Sequence, residues 1–282
     1  SCVTRAPALW RGGIDCGKAM SKRPAPATPD RRSLSYVTAF ARGLKVIEAF
    51  GPENRRMTVA DVAARVDLDR AVARRLLLTL CAEGLAKAEG KHFELTPKIL
   101  RLGYSYLASI GIGGALQPYL DELSAQLGET VSVSLLEGEE VVFVARSEVP
   151  GRRMAFVIAM GMRLPAFLSA SGRILLSAKP EAEIRALLDQ AEIPRLTPNT
   201  ITSKKQLLAV ILKAAADGYA TSREELELGL FGVSVLVRNR AGQVIGSLNA
   251  SANATLVNED RVRNVFVPEL RDCAEKLSDV LL

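Results

Sequence analysis

The chain has 282 residues, 48% hydrophobic and 24% charged, with a net charge of +6; that is room for about two domains with their own cores and excludes wholesale disorder or a fibrous repeat. One histidine, His92, and four scattered cysteines (2, 16, 81 and 273), with no CxxC or HExxH spacing and no long apolar run, argue against His-dependent catalysis, a zinc site, a disulfide framework and a transmembrane helix, and suit a reducing cytoplasm. The charge is uneven: residues 1–108 carry 19 Lys/Arg against 10 Asp/Glu, a net +9, while residues 109–282 carry 18 against 21, a net −3, which suggests one module for a polyanion and a second for something else.

Residues 1–34 read as an unstructured tail, because the Ser21–Ser33 stretch is dominated by Pro, Ala and basic residues. Met20 follows an aperiodic segment that has no signal-peptide core, so the natural start is expected at Met20 with residues 1–19 an upstream extension. A first helix is expected over Ser35–Phe50, with Val37, Phe40, Leu44 and Ile47 recurring every three or four residues before Gly51-Pro52. Thr58 caps a second helix, with Asp61 in its first turn and Val59, Val62, Ala63 and Val66 as its buried stripe. The turn Val66-Asp67-Leu68 leads to Asp69, the N-cap of a third helix reaching about Leu80. Two short strands, Leu85–Ala88 and His92–Leu95, flank a Gly90 turn. Thr96-Pro97 then opens a linker helix, apolar on more than one side, that suggests a partner chain as well as its own. Ile110–Gly114 is a hinge. The divisions expected are therefore 1–34 tail, 35–95 a first domain of helices and a hairpin, 96–114 linker and 115–282 a second domain.

Beyond the hinge the chain alternates: a helix at Leu116–Leu127, a hairpin of Val131–Leu136 and Val141–Ala145, a strand at Met154–Ile158, and helices at Ser169–Ala178, Glu181–Leu188 and Ser203–Asp217. A second hairpin, Val233–Val237 with Val244–Asn249, precedes a terminal helix over Glu259–Leu281 capped by Asn258. Hairpins mixed with helices indicate an α+β domain with a mainly antiparallel sheet.

Helix, short turn, helix and hairpin make a winged helix-turn-helix. At 100° per residue with Arg70 at zero, Val72, Ala73, Leu76, Leu77 and Leu80 fall on a buried arc of roughly 200–340°, and Arg70, Ala71, Arg74 and Arg75 on an outward arc of roughly 0–140°. Three guanidiniums around one small residue suit entry into the major groove of double-stranded operator DNA, where Arg reads guanine or holds phosphate. Thr58, Lys87 and Lys91 are further DNA-side candidates; a surface position in the wing accounts for His92.

These residues resemble the IclR-type bacterial transcription regulators. The resemblance rests on ARRLLLTL (73–80), FELTPKILRLGYSYLAS (93–109), VSVSLLEGEEVVFVAR (131–146), GMRLPAFLSASGRILLS (161–177), TITS (200–203) and GYATSREELELG (218–229), and spans about Ser35–Leu282. Within the family it resembles the branch controlling protocatechuate and 4-hydroxybenzoate use. It implies a winged-helix domain, a dimerisation linker, a GAF-like effector domain, homodimers that pair into tetramers, a small organic acid effector (aromatic or dicarboxylic), and contact with RNA polymerase in an activator; no cofactor, metal or membrane partner is expected. Carried over by position, the effector site is expected at Phe156, Leu164, Ser169, Ala170, Ser171, Gly172, Ser222, Leu230, Gly232, Asn249 and Ser251. A helix start at Ser169–Gly172 suits a carboxylate, although Ser169 is equally suited to capping. Gly232 and Phe231 stand where many members carry Cys and Arg, and Ser222-Arg223 where an acidic pair is usual, so pocket size and polarity are expected to differ. Asp67 replaces a common Gly but tolerates a left-handed turn. A small hydrolase acting through Ser169 or Ser171 is the competing class; it lacks a GxSxG elbow and any histidine in the second domain. A non-specific nucleic-acid binder driven by the basic tail is a third reading.

Overall fold

The structure is a computed structural model that describes residues 36–109, 114–149 and 159–280. The expectations for the tail and for Met20, for most of the hinge and for the strand Met154–Ile158 lie outside these residues. The chain divides into two compact units between Ile99 and Leu100.

The first unit holds α1 (Thr38–Glu48), β1 (Met57–Thr58), α2 (Val59–Arg65), α3 (Arg70–Ala82), β2 (Ala86–Glu89) and β3 (His92–Leu95). Val46, Val62, Ala73, Leu77 and Phe93 form its core. The expected α1 stripe is not the buried one: Val37, Phe40 and Leu44 are exposed, and Val46 and Ala49 are buried instead. The period was right but the face inward was the narrower one, leaving an exposed apolar face among the described residues. A two-residue strand, β1, pairs with β3 and gives the wing a third strand that was too short to show a period. Thr96 does not cap the next helix. Its hydroxyl donates to the Gly84 carbonyl at 2.5 Å, and a single 3-10 turn, Pro97–Ile99, follows it.

The second unit begins with α4 (Leu100–Ser109), whose Leu100, Leu102, Tyr104 and Tyr106 are all exposed. Then come α5 (Gln117–Leu127), β4 (Thr130–Glu137), β5 (Glu140–Ser147), β6 (Arg163–Pro165), α6 (Ala170–Leu176), α7 (Glu181–Gln190), α8 (Lys204–Asp217), β7 (Ala220–Arg223), β8 (Leu230–Arg238) and β9 (Val244–Asn253). The last helix starts as α9 (Glu259–Arg261), passes through a π turn at Val262–Phe266 and continues as α10 (Val267–Ser278). Six strands in the order β6-β5-β4-β9-β8-β7 pair antiparallel throughout. The expected fold class, a winged helix-turn-helix followed by an α+β effector domain, holds. Strands β6 and β7, each of three or four residues, escaped the sequence reading because so short a run carries no usable alternation.

Strand alternation sorts this sheet's two faces. Val131, Val133, Val233, Val235, Leu248 and Ala250 pack on one side with Leu120, Leu123, Leu270 and Leu277 of α5 and α10. The residues between them, Ser132, Ser134, Ser234, Ser247, Asn249 and Ser251, are buried on the other side, where α6 lies across β8 and β9. A second apolar cluster, including Val141, Phe143, Leu164, Ile174, Leu207 and Ile211, closes the sheet's β6 end against α6, α7 and α8.

Candidate DNA-reading surface and effector site

The helix-turn-helix is fixed by its caps. The Thr58 hydroxyl accepts from the Asp61 N–H at 3.3 Å while the Thr58 N–H donates to the Asp61 carboxylate at 2.8 Å, a reciprocal box. The Thr58 N–H and the Thr58 hydroxyl, which both donate to the Asp61 carboxylate at 2.8 Å, hold that carboxyl below the usual carboxylate range. Asp67 takes the left-handed conformation at φ +51°, and Asp69 accepts from the Ala71 N–H at 2.7 Å to start α3. Along α3, Ala73, Leu77 and Leu80 are buried while Arg70, Ala71, Arg74 and Arg75 are exposed, as the wheel predicts. Thr58, by contrast, is half-buried and spends its side chain on capping.

In the wing, Lys91 is exposed at the turn. Lys87 is engaged: its ammonium lies 3.1 Å from Glu89 and 3.8 Å from Glu94. The same two carboxylates bind Arg56 and Arg55, at 2.8 Å and 2.9 Å. The sequence reading missed this arginine pair, which flanks β1 and could have been noticed as a basic doublet just ahead of α2. Glu94 is half-buried, but Glu89 and all three basic partners are exposed, so these ion pairs order the surface more than they stabilise it.

In the effector domain the register brings five expected residues together. Ser222, Gly232 and Ser251 lie side by side on β7, β8 and β9, and the Asn249 amide donates to the Ser251 hydroxyl at 2.9 Å. A Cβ placed on Gly232 would sit 3.2 Å from Ser222 Oγ, 3.4 Å from Ala170 Cβ and 3.5 Å from Asn249 Oδ1. Gly232 is thus a floor on β8 on which polar groups from the two flanking strands, β7 and β9, and the first residue of α6 converge. Leu230 is half-buried two residues along β8.

Other expected residues do different work. Ser169 is the α6 cap, its hydroxyl accepting from the Gly172 N–H at 3.0 Å. Gly172 is closed by packing, since a Cβ there would fall 2.2 Å from the Ala166 backbone. Leu164 belongs to the apolar cluster on β6, opposite Val141. Its row meets β4 at Leu136, four residues from Ser132, or roughly 13 Å along the strand. Phe156 lies outside the described residues. The expected effect of Phe231 and Arg223 on the pocket is a correction: both point to the opposite face of the sheet. Arg223 lies 4.7 Å above the Phe231 ring and donates to the Ala254 and Val257 carbonyls at 2.7 and 2.9 Å. Alternation along β7 and β8 puts them out of phase with Ser222 and Gly232, a signal already present in the sequence.

With that geometry, comparison with known proteins is decisive. The family model described as the bacterial transcriptional regulator IclR C-terminal domain matches residues 104–279, and the IclR helix-turn-helix domain matches residues 39–90. The chain belongs to the IclR family. It is 35% identical to the Pca regulon regulatory protein of Pseudomonas putida, covering 88% of this chain and 87% of that one. A structure described as a transcriptional regulator of Rhodococcus sp. RHA1 aligns at 41% identity and TM-score 0.80, covering 87% of this chain and 98% of that one. The inducer-binding domain of the Acinetobacter PobR transcription factor, solved as a double mutant with 3-hydroxybenzoic acid, aligns at 32% identity and TM-score 0.55 over 58% of this chain and 95% of that domain. The IclR family is one of DNA-binding transcriptional regulators, so the hydrolase reading falls. Among the described residues no helix is long and apolar enough to cross a membrane, and no cluster of His, Cys, Asp or Glu could hold a metal ion.

One feature of this IclR domain had no sequence signal. Arg173 and Glu225 are 2% and 5% exposed and 52 residues apart, and they form a two-pronged ion pair at 2.6 Å on both prongs. Arg173 also donates to the Phe167 and Thr221 carbonyls at 2.9 Å each, and the Ile201 N–H donates to Glu225 at 3.2 Å. The cluster ties α6 to the β7 end of the sheet and so fixes the helix that roofs the Gly232 floor.

Proposed function

We propose that this IclR regulator controls genes for aromatic-compound catabolism in the cytoplasm, binding operator DNA through α3 and a hydroxylated aromatic acid in the site around Gly232. The observation that carries the reading is the exposed Arg70/Arg74/Arg75 arc, which a correctly capped helix-turn-helix presents with Ala71 allowing close approach. Lys91 lies on the same unit and suits the phosphate backbone, and Lys87, Arg55 and Arg56 would reach phosphate by giving up Glu89 and Glu94. The acid is supported by the buried polar patch of Ser222, Asn249 and Ser251 and by the hydroxybenzoate bound in the PobR relative. The domain division we favour is a winged helix-turn-helix over 35–95, a linker over 96–114 and an effector domain over 115–282.

The exposed apolar faces of α1 and α4 support assembly as a homodimer, and pairing of dimers into tetramers fits the same surfaces. Effector occupancy then shifts the population of assembly states that match an operator. In an activator the DNA-bound form contacts RNA polymerase. The test is operator binding by Arg70→Ala/Arg74→Ala: both side chains are exposed, so folding by circular dichroism stays intact while specific affinity falls. Unchanged operator affinity overturns the assignment, and equal affinity for operator and random DNA at matched salt favours a non-specific binder.

A further inference from the structure

The sheet face under α6 contains a row of side chains set by register: Ser234 on β8, Asn249 on β9, Ser132 on β4 and Arg146 on β5 are successive cross-strand neighbours. Most buried polar groups on this face find one another. Ser134 bonds Ser247 at 2.9 Å, Ser234 donates to the Leu248 carbonyl at 2.9 Å, and Asn249 donates to Ser251. At the Ser132–Arg146 end of this row, Ser132 Oγ, Arg146 Nε and Ser171 Oγ are buried and have no hydrogen-bond partner among the described residues. Ser132 is fully buried and Ser171 is 2% exposed. Helix geometry aims Ser171 at the other two. It precedes Arg173 by two residues, or about 160° round α6, and Arg173 is anchored towards β7 by Glu225 and the Thr221 carbonyl. Ser171 therefore faces the β4–β5 side.

The chemistry of the trio is one-sided. A guanidinium can only donate, and a hydroxyl can donate as well as accept. Arg146 has one described side-chain partner, Glu148, bound through Nη2. Glu148 is largely exposed, so it neutralises the inner edge of the guanidinium poorly. What the trio lacks is an anionic acceptor. Towards β7 the polarity differs: Ser222, Ser251 and Asn249 are neutral, and the two guanidiniums near that end are committed, Arg173 to Glu225 and Arg223 to the opposite face. The site thus has a cationic, donor-rich end and a neutral end that can both give and take a hydrogen bond.

We propose that Arg146, with Ser132 and Ser171, holds the effector carboxylate, and that Asn249, Ser251 and Ser222 hold a neutral hydroxyl at its other end. The effector class is a hydroxylated monocarboxylic acid; a dicarboxylic acid would place a second charge where, among the described residues, no cation is free. This rests on the effector reading above and adds its polarity and orientation.

The test is calorimetric titration of the full chain with 3- and 4-hydroxybenzoate, the matching hydroxybenzamides and terephthalate. Wild type should bind one hydroxybenzoate at least tenfold more tightly than its amide and than terephthalate. Arg146→Gln should weaken the acid on the order of 10–100-fold and bring acid and amide to within about threefold, whereas Arg146→Lys should retain part of the preference. If Arg146→Gln melts far below wild type, Ser171→Ala supplies the second reading: several-fold weaker acid, little change for the amide. An Arg146→Gln protein that keeps the full acid preference overturns the proposal. The effector reading survives that outcome if Gly232→Val, which fills the floor, still abolishes binding. Wild type that binds none of these compounds overturns both.

Discussion

Arg173→Met is the perturbation whose cost follows most directly from the structure. It removes a side chain that is 2% exposed and makes four hydrogen bonds, two of them to a carboxylate that is 5% exposed. Glu225 would keep only the Ile201 N–H at 3.2 Å, and the Phe167 and Thr221 carbonyls would lose their donor. Breaking a buried pair from one side costs about 3–5 kcal/mol, because the surviving charge stays desolvated. In a domain of this size each kcal/mol moves the melting temperature by roughly 2–4 °C, so a fall of about 6–20 °C is expected. Differential scanning calorimetry reads it. Arg173→Met/Glu225→Met should recover much of the loss, since an apolar replacement of a whole buried pair is often close to neutral. A single variant melting within 2 °C of wild type, or a double variant melting no higher than the single, would refute the reasoning.

Three further outcomes follow from the geometry. Gly172→Ala should destabilise the effector domain and weaken effector binding together, because the new Cβ would meet the Ala166 backbone at 2.2 Å; thermal melting and calorimetry check it, and a wild-type melting point contradicts it. Thr58→Ala should lower the melting temperature by a few degrees through loss of the capping box. Asp61 titrates below its unfolded value, so its contribution is present above about pH 4 and lost as pH falls through the folded pKa; the gap between wild type and variant should narrow there. Burial pushes the Cys273 thiol up to about 11, so native protein at pH 8 should leave it unalkylated by iodoacetamide, as peptide mass mapping would show, and rapid alkylation contradicts it.

The candidate DNA-reading surface was legible because local rules decide its helices. Thr58 and Asp69 are caps, Asp67 accepts the left-handed turn, and the helical period puts Leu77 on the inward arc and Arg74 on the outward one. The candidate effector site was legible only in part. Ala170, Ser222, Gly232, Asn249 and Ser251 converge, and the family resemblance supplied them; no period in the sequence would have. Ser169 and Gly172 have structural roles that a helix start hides, capping in one case and close packing in the other. Arg146 and Ser132 look like ordinary strand residues until the β4–β5 register makes them neighbours. Arg173 and Glu225 meet across 52 residues, a pairing that only tertiary structure fixes.

The central claim is a regulator whose hold on a specific DNA sequence answers to a small aromatic acid. Fluorescence anisotropy of the full chain on DNA from its own promoter region, at fixed salt, with and without a saturating hydroxybenzoate, tests it directly. The account predicts binding at least about a thousandfold tighter than to scrambled DNA, and a change in affinity or stoichiometry when the acid is added. Equal binding to both sequences, or curves that superimpose with and without each acid, would contradict it.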